Sequence, residues 1–332
     1  MSLTNKLATP PTIPPSGNFK LIYADELVSN NLSVNTSGNF SIKNSNITEY
    51  IWPTVTPTLG QVLTVTDITS NVATLQYVSP SVAQAISNIR DRLIVPIYIY
   101  PSNPYTDYTT VGASMLSLLG RVDVIINPNN GDDALSAANS DWIGGLNALQ
   151  TAASTSWSAT NIYGYTYTQY GARSLATVKA VIAGYIANNW NLWVGGGIFL
   201  DEVSNDPDDF EYYTELIDYV LSLNPNLTVI LNPGVALYEN LATYTGVSCV
   251  INQEGASSSL INYTPANYQL YASDRNHYAS ISTGEADETL LPYYFNLNRT
   301  KNFGRFYVTS AANYNTLSSD YAALVTAFKT LL

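Results

Sequence analysis

At 332 residues the chain can hold one (β/α)8 barrel of roughly 250 residues together with a smaller attachment. Only 11% of its residues are charged, against about 25% in an average soluble domain, so its polar surface must come from Ser, Thr, Asn, Gln and 26 tyrosines, whose flat rings with hydroxyl tips suit sugar faces. A net charge of −12 with 13 scattered basic residues leaves no footprint for nucleic acid or an anionic membrane; a single histidine excludes a site of two His ligands, and a single cysteine excludes an internal disulfide.

In chain order, the opening Met1-Ser-Leu-Thr-Asn-Lys-Leu7 lacks the basic-then-apolar layout of a signal peptide, and no apolar run reaches the ~18–20 residues of a membrane span. Residues 1–85 read as a β-rich N-terminal extension. Residues 9–15 are Pro-rich and predict an extended arm. Short alternating stretches follow at Leu32/Val34, at Phe40/Ile42, and at 62–66 with 72–78; residues 60–78 read as a hairpin around Ile68-Thr-Ser-Asn71. These Asn/Ser/Thr-rich stretches are similar in composition to segments of phage and large-virus fibre or virion proteins. That similarity implies self-association or particle attachment through residues 1–85, and a virion-surface or extracellular location rather than a cytoplasmic one. An ordinary β-rich extension is the alternative.

Residues 86–332 alternate apolar runs with helical segments eight times. The runs are 93–101, 122–128, 161–170, 196–203, 227–233, 247–254, 277–282 and 305–310, β-branched or aromatic and nearly continuous in hydrophobicity, as strands buried on both faces read. Between them, 175–188 places Leu175, Val178, Val181, Ile182, Tyr185 and Ile186 at helical spacing. Residues 208–223 do the same after Asp206-Pro207-Asp208, an acidic helix start that suits the dipole, and 321–331 closes the chain. The expected fold is α/β, a (β/α)8 TIM barrel with a small β-rich N-terminal extension. An open doubly wound sheet is the runner-up, and no Gly-rich phosphate turn supports it.

In a parallel barrel the active site lies at the C-terminal ends of the strands. Strand four ends on Asp201 and Glu202, and strand six on Glu254, each after a strongly apolar run, so these acids are the expected catalytic residues. One carboxylate protonates a glycosidic oxygen while the other attacks the anomeric carbon or activates water. The alternative is a salt bridge at the rim, for which Arg173 and Arg275 are available. Adjacent Asp201 and Glu202 cannot point the same way on a regular strand, so one faces substrate and the other supports it. Tyr98, Tyr100, Asn127, Tyr165, Tyr170 and Asn232, also near strand ends, are the expected sugar-binding wall, with Arg173 holding a rim carboxylate; barrel packing is the bland alternative for each. Cys249 reads as a small buried hydrophobe and His277, at the start of strand seven, as structural.

Five motifs in order, Val95-Pro-Ile-Tyr-Ile-Tyr-Pro101, Val124-Ile-Ile-Asn-Pro-Asn129, Gly164-Tyr-Thr-Tyr-Thr-Gln-Tyr-Gly-Ala-Arg173, Gly197-Ile-Phe-Leu-Asp-Glu-Val203 and Val229-Ile-Leu-Asn-Pro-Gly234, resemble the spherulin-4-like glycoside hydrolase family. The resemblance implies an endo-acting hydrolase of α-1,4-linked galactosamine or N-acetylgalactosamine polymers, without metal or cofactor, with Asp201 as nucleophile, Glu254 as acid/base and Glu202 in support. The chain departs from the family at Ser310-Ala-Ala-Asn313, where acidic residues usually follow Tyr-Val-Thr. A non-catalytic sugar-binding or structural virion-surface protein on the same barrel is the competing reading. A metal-dependent deacetylase is disfavoured by the single histidine.

Overall fold

The computed structural model describes five strands within the first 90 residues, and residues 91–285 and 287–331. The chain divides into two compact units, Met1–Ile89 and Arg90–Leu332. In the first, β1 (Leu32–Val34) pairs antiparallel with β2 (Phe40–Ile42). The expected hairpin is β4 (Val62–Thr69) against β5 (Val72–Val78), antiparallel, with a register shift between Val65 and Asp67. A third strand, β3 (Glu49–Ile51), adds parallel to β5 and has no counterpart among the sequence expectations. The Pro-rich stretch 9–15 lies outside the described residues.

The second unit is a closed barrel of eight parallel strands, β6 (Arg92–Ile97), β7 (Val122–Ile126), β8 (Ile162–Tyr167), β9 (Gly197–Asp201), β10 (Thr228–Leu231), β11 (Val247–Ala256), β12 (Tyr278–Thr283) and β13 (Arg305–Val308), each beside its neighbour in sequence, with β13 closing onto β6. All eight fall within or against the apolar runs, most of them shorter at the ends. The reason is visible at β6: it stops at Ile97 because the next amide, of Tyr98, bonds to the carbonyl of Tyr314 rather than to a neighbouring strand.

The connecting helices are α1 (Thr106–Ser117), α2 (Ser140–Ala153), α3 (Leu175–Ile186), α4 (Phe210–Leu223), α5 (Glu239–Ala242), α6 (Ser257–Asn262), α7 (Asn267–Leu270), α8 (Leu291–Thr300) and α9 (Tyr321–Lys329). Side-chain caps start several of them. Asn139 accepts from the amides of Asp141 and Trp142 at the head of α2, and Ser174 from that of Thr177 at α3. The expected start at Asp208 is a 3-10 turn, Pro207–Asp209, capped by Asp206, and α4 proper follows it. Buried apolar faces of these helices cover the barrel, where each Val, Leu or Ile contributes about 1.5–3 kcal/mol.

Two close approaches set the site strands. Gly197 opens β9 at φ 133°, where a Cβ would stand 1.8 Å from the carbonyl oxygen of Thr228 on β10. Gly164, inside β8, lies under the ring of Tyr185, 2.6 Å from where a Cβ would be, and the Tyr185 hydroxyl donates to the carbonyl of Tyr165 at 2.8 Å. At the opposite, N-terminal end of the strands the base is ionic. Asp123 accepts from Arg92 at 2.6 and 2.9 Å and pairs with Arg305 at 3.2 Å. Asp91, fully buried, takes Arg275 on one oxygen and Arg299 on the other at 2.7 Å. Burial pushes the Asp91 carboxyl up, and the two guanidiniums pull it back toward the charged form.

His277 closes a 3-10 turn, Arg275–His277, just before β12, and its Nε2 lies 2.6 Å from the carbonyl oxygen of Ala242, the structural placement expected at that end. Cys249 is buried as expected, its thiol pushed up to about 12 by desolvation. Among the described residues no helix is long and apolar enough to cross a membrane.

Candidate active site

On β9 alternation turns Phe199 and Asp201 to one face; Phe199 stacks on the ring of Tyr165 from β8, 5.8 Å between centroids, and the hydroxyl of Tyr165 donates to Oδ2 of Asp201 at 2.7 Å. The strand stops there. Glu202 takes a left-handed φ of 52°, a conformation costing a non-glycine residue roughly 1–2 kcal/mol. It is held by its own carbonyl, which accepts from the amide of Tyr170 at 2.8 Å and the hydroxyl of Thr168 at 2.7 Å. Asp201 enters the network of donors, whereas the Glu202 carboxylate makes no hydrogen bond among the described residues.

Asn232 follows β10 by one residue. Its Nδ2 spends both hydrogens on acids, donating to Oδ1 of Asp201 at 2.8 Å and to Oε2 of Glu254 at 2.6 Å. Its Oδ1 accepts from the amide of Gly234 at 3.0 Å, which assigns the amide orientation. Glu254 comes from β11, and its own amide bonds to the carbonyl of Gly234 at 3.0 Å. The other oxygen of Glu254, Oε1, accepts from the hydroxyl of Tyr314 at 2.5 Å. One nitrogen thus bridges the two carboxylates, and their bridged oxygens cannot lie farther apart than those two bond lengths laid end to end.

Burial pushes both carboxyls up. Against that push Asp201 has three donors, Tyr165, the backbone N–H of Glu202, and Asn232. Glu254 has two, Tyr314 and Asn232, and the charge of Asp201 pushes it further up. Among the described residues, the groups that donate to this pair are all neutral. The phenols of Tyr165 and Tyr314 are themselves driven far above their ordinary value by burial and by the neighbouring carboxylates, so they stay donors.

Tyr98, half-buried and one residue past β6, sets its ring edge-on to Tyr165 at 5.1 Å and to Tyr314 at 5.3 Å, completing an aromatic arc round the acids. Asn127 follows β7, and its buried Oδ1 has no hydrogen-bond partner among the described residues. The other expected wall residues stand apart from the pair. Tyr100 is 53% exposed, donating to Asp141 at 2.9 Å and accepting from Asn139 at 3.1 Å. Tyr170 is 64% exposed. Arg173 does hold a rim carboxylate, Asp132, while its guanidinium also bonds Thr166 at 3.0 Å and the carbonyl of Tyr167 at 3.1 Å, and lies over the Tyr167 ring at 4.0 Å. It braces the end of β8. Arg275, the other cation weighed for the rim, is at the base with Asp91.

Sequence reasoning did not single out Tyr314. It sits one residue beyond Ser310-Ala-Ala-Asn313, in a loop with no periodicity to read. Asn232 was expected as a sugar contact, and its bridging of the two acids depends on how the barrel closes.

The spherulation-specific family 4 model matches residues 92–328. The chain is 30% identical over 243 residues to Spherulin-4 of Physarum polycephalum, an alignment covering 69% of this chain and 67% of that protein. Among solved structures it is similar to Aspergillus clavatus Sph3 in complex with GalNAc, with a TM-score of 0.53, 19% identity, and coverage of 72% of this chain and 98% of that one, a likeness of fold.

Proposed function

The chain belongs to spherulation-specific family 4, and on that footing we propose that it is an endo-acting glycoside hydrolase cleaving α-1,4-linked N-acetylgalactosamine or galactosamine-type polysaccharide. The observation that carries this reading is the single amide of Asn232 bridging Asp201 and Glu254. It joins two partly buried carboxyls, and the ceiling it sets on the separation of their bridged oxygens supports the ~5–5.5 Å spacing of retaining glycosidases over the ~6.5–9.5 Å of inverting ones.

Roles follow from the donors. Asp201, with three, is the better ionised and acts as nucleophile; Glu254, with two and a like charge beside it, keeps the proton. Glu254 protonates the glycosidic oxygen as Asp201 attacks the anomeric carbon, so the bond to the leaving sugar breaks as the bond to Asp201 forms. Glu254, now ionised, takes a proton from water, whose oxygen displaces Asp201 and yields a sugar of retained configuration. Glu202 supports the pair, Tyr98 offers a ring, and the unpartnered acceptor of Asn127 suits a sugar hydroxyl or amine. Tyr100 and Tyr170, exposed, are placed for a longer polymer, and Tyr165 and Asn232 act chiefly through the acids. The acids of the mouth favour a partly deacetylated, cationic polymer. The galactosamine assignment is supported by the family and by the GalNAc in the Sph3 complex. We place the protein on a virion surface or outside the cell, supported by the composition of residues 1–85.

The test is product release from α-1,4-linked galactosamine/N-acetylgalactosamine polymer by wild type beside Asp201→Asn and Glu254→Gln. Oligosaccharides from wild type alone support the reading. Saturable binding in all three without products points instead to a sugar-binding barrel displayed through residues 1–85.

A further inference from the structure

The loop after β13 is stitched into one piece. The amide of Ser310 donates to Oδ2 of Asp320 at 2.9 Å, the hydroxyl of Thr309 to Ser318 at 2.9 Å, and the Ser318 hydroxyl to Asp320. At its middle the loop crosses to β6, where the carbonyl of Tyr314 accepts from the amide of Tyr98 at 3.0 Å and the two rings meet nearly perpendicular, at 82°. Backbone and ring therefore fix Tyr314 before its hydroxyl is considered. Among the described residues that hydroxyl bonds Oε1 of Glu254 alone, at the 2.5 Å of a short charge-assisted bond.

Glu254 accepts on both oxygens, from Tyr314 on Oε1 and from Asn232 on Oε2. We propose that Tyr314 is the positioning residue of the acid/base: by donating to Oε1 of Glu254, opposite the Asn232 bond to Oε2, it fixes the carboxyl in place and favours its ionised form. This rests on the glycosidase reading for what the carboxyl does, but not for how it is held. The titratable groups facing Glu254 are Asp201 of β9, Tyr98 beyond β6, Tyr165 of β8 and Tyr314 itself. Burial and Asp201 push the Glu254 carboxyl up, and the Tyr314 bond is the strongest influence drawing it down.

Tyr314→Phe deletes the donor and keeps both the ring and the backbone bond to Tyr98. With side-chain 13C-labelled glutamate, NMR titration of the Glu254 carboxyl should show its midpoint rising by about one to two pH units, the effect of losing one hydrogen bond to a charged group. The basic limb of kcat/KM should rise with it, and kcat should fall on the order of ten-fold with KM little changed. Tyr314→Met must move the midpoint the same way, while Asn315→Ala, in the same loop and exposed, leaves both readouts unchanged. A midpoint unmoved in both Tyr314 variants overturns the proposal and leaves Tyr314 as loop packing. The titration reads the same whether or not the barrel hydrolyses any glycan, so failure of the glycosidase reading is seen separately.

Discussion

The two ends of this barrel bury acids in opposite company. At the base, Asp91 meets Arg275 and Arg299, and Asp123 meets Arg92 and Arg305, so each carboxylate has cations on it. At the mouth, Asp201 and Glu254 are held by Tyr165, Asn232, Tyr314 and a backbone amide, all neutral. A carboxylate paired with guanidiniums is drawn by them toward its charged form, and it serves to clamp strand ends. One solvated by neutral donors in a buried site can take up a proton and give it back, which is what acid–base work needs. Asp91 is fully buried and the mouth acids are partly exposed, yet burial pushes Asp91, Asp201 and Glu254 in the same direction, so the partners make the contrast.

The largest expected effect tests the mouth. Asp201→Asn and Glu254→Gln should each lower kcat on the polysaccharide by about 10²–10⁴, the worth of a positioned acid or base, while Asp91→Asn leaves kcat per folded molecule unchanged. Activity assays on the three purified variants check this. Equal losses at both ends would break the distinction. The next effect tests the base. Asp91→Asn leaves Arg275 and Arg299 against a neutral amide in a buried place, and should lower stability by about 3–5 kcal/mol in urea unfolding. A loss under 1 kcal/mol would mean that the pairs do not clamp the barrel.

Much of this was legible in the residues. Strands buried on both faces, such as Val122–Ile126 with every residue buried, read as nearly continuous apolar runs, here broken by Asp123, and an acid closing such a run, as at Asp201, can hardly be surface charge. The hairpin of β4 and β5 was legible because alternation flanks a short turn, whereas β3 is only three residues and joins β5 from a distance. What the residues could not give is which side chains meet across the mouth. Asn232 reaches Glu254 22 positions away, and Tyr314 does so across 60. Those meetings depend on closure between β13 and β6, which no local period encodes. The same holds at the base, where Arg275, a candidate for the rim from its charge alone, reaches Asp91 across 184 positions.

The smallest effect is the sharpest, because its sign differs between the ends. Burial sets Asp201 and Glu254 above the ~4 of an unfolded carboxyl, so between those values the folded protein binds more protons than the unfolded chain. Their contribution to stability is full below the unfolded value and is lost as pH rises through the folded one. Near pH 7–8 each ionised acid therefore costs the fold stability. An amide in its place escapes that loss, so Glu254→Gln and Asp201→Asn should melt above wild type at pH 7–8 and close to it at pH 4 and below. Asp91→Asn should melt below wild type at pH 7–8, because there the amide removes a partner from two cations. Melting curves of all three across that range separate the ends on one plot, and catalytic variants that melted below wild type at neutral pH would show that the mouth acids, like those at the base, are held as charges.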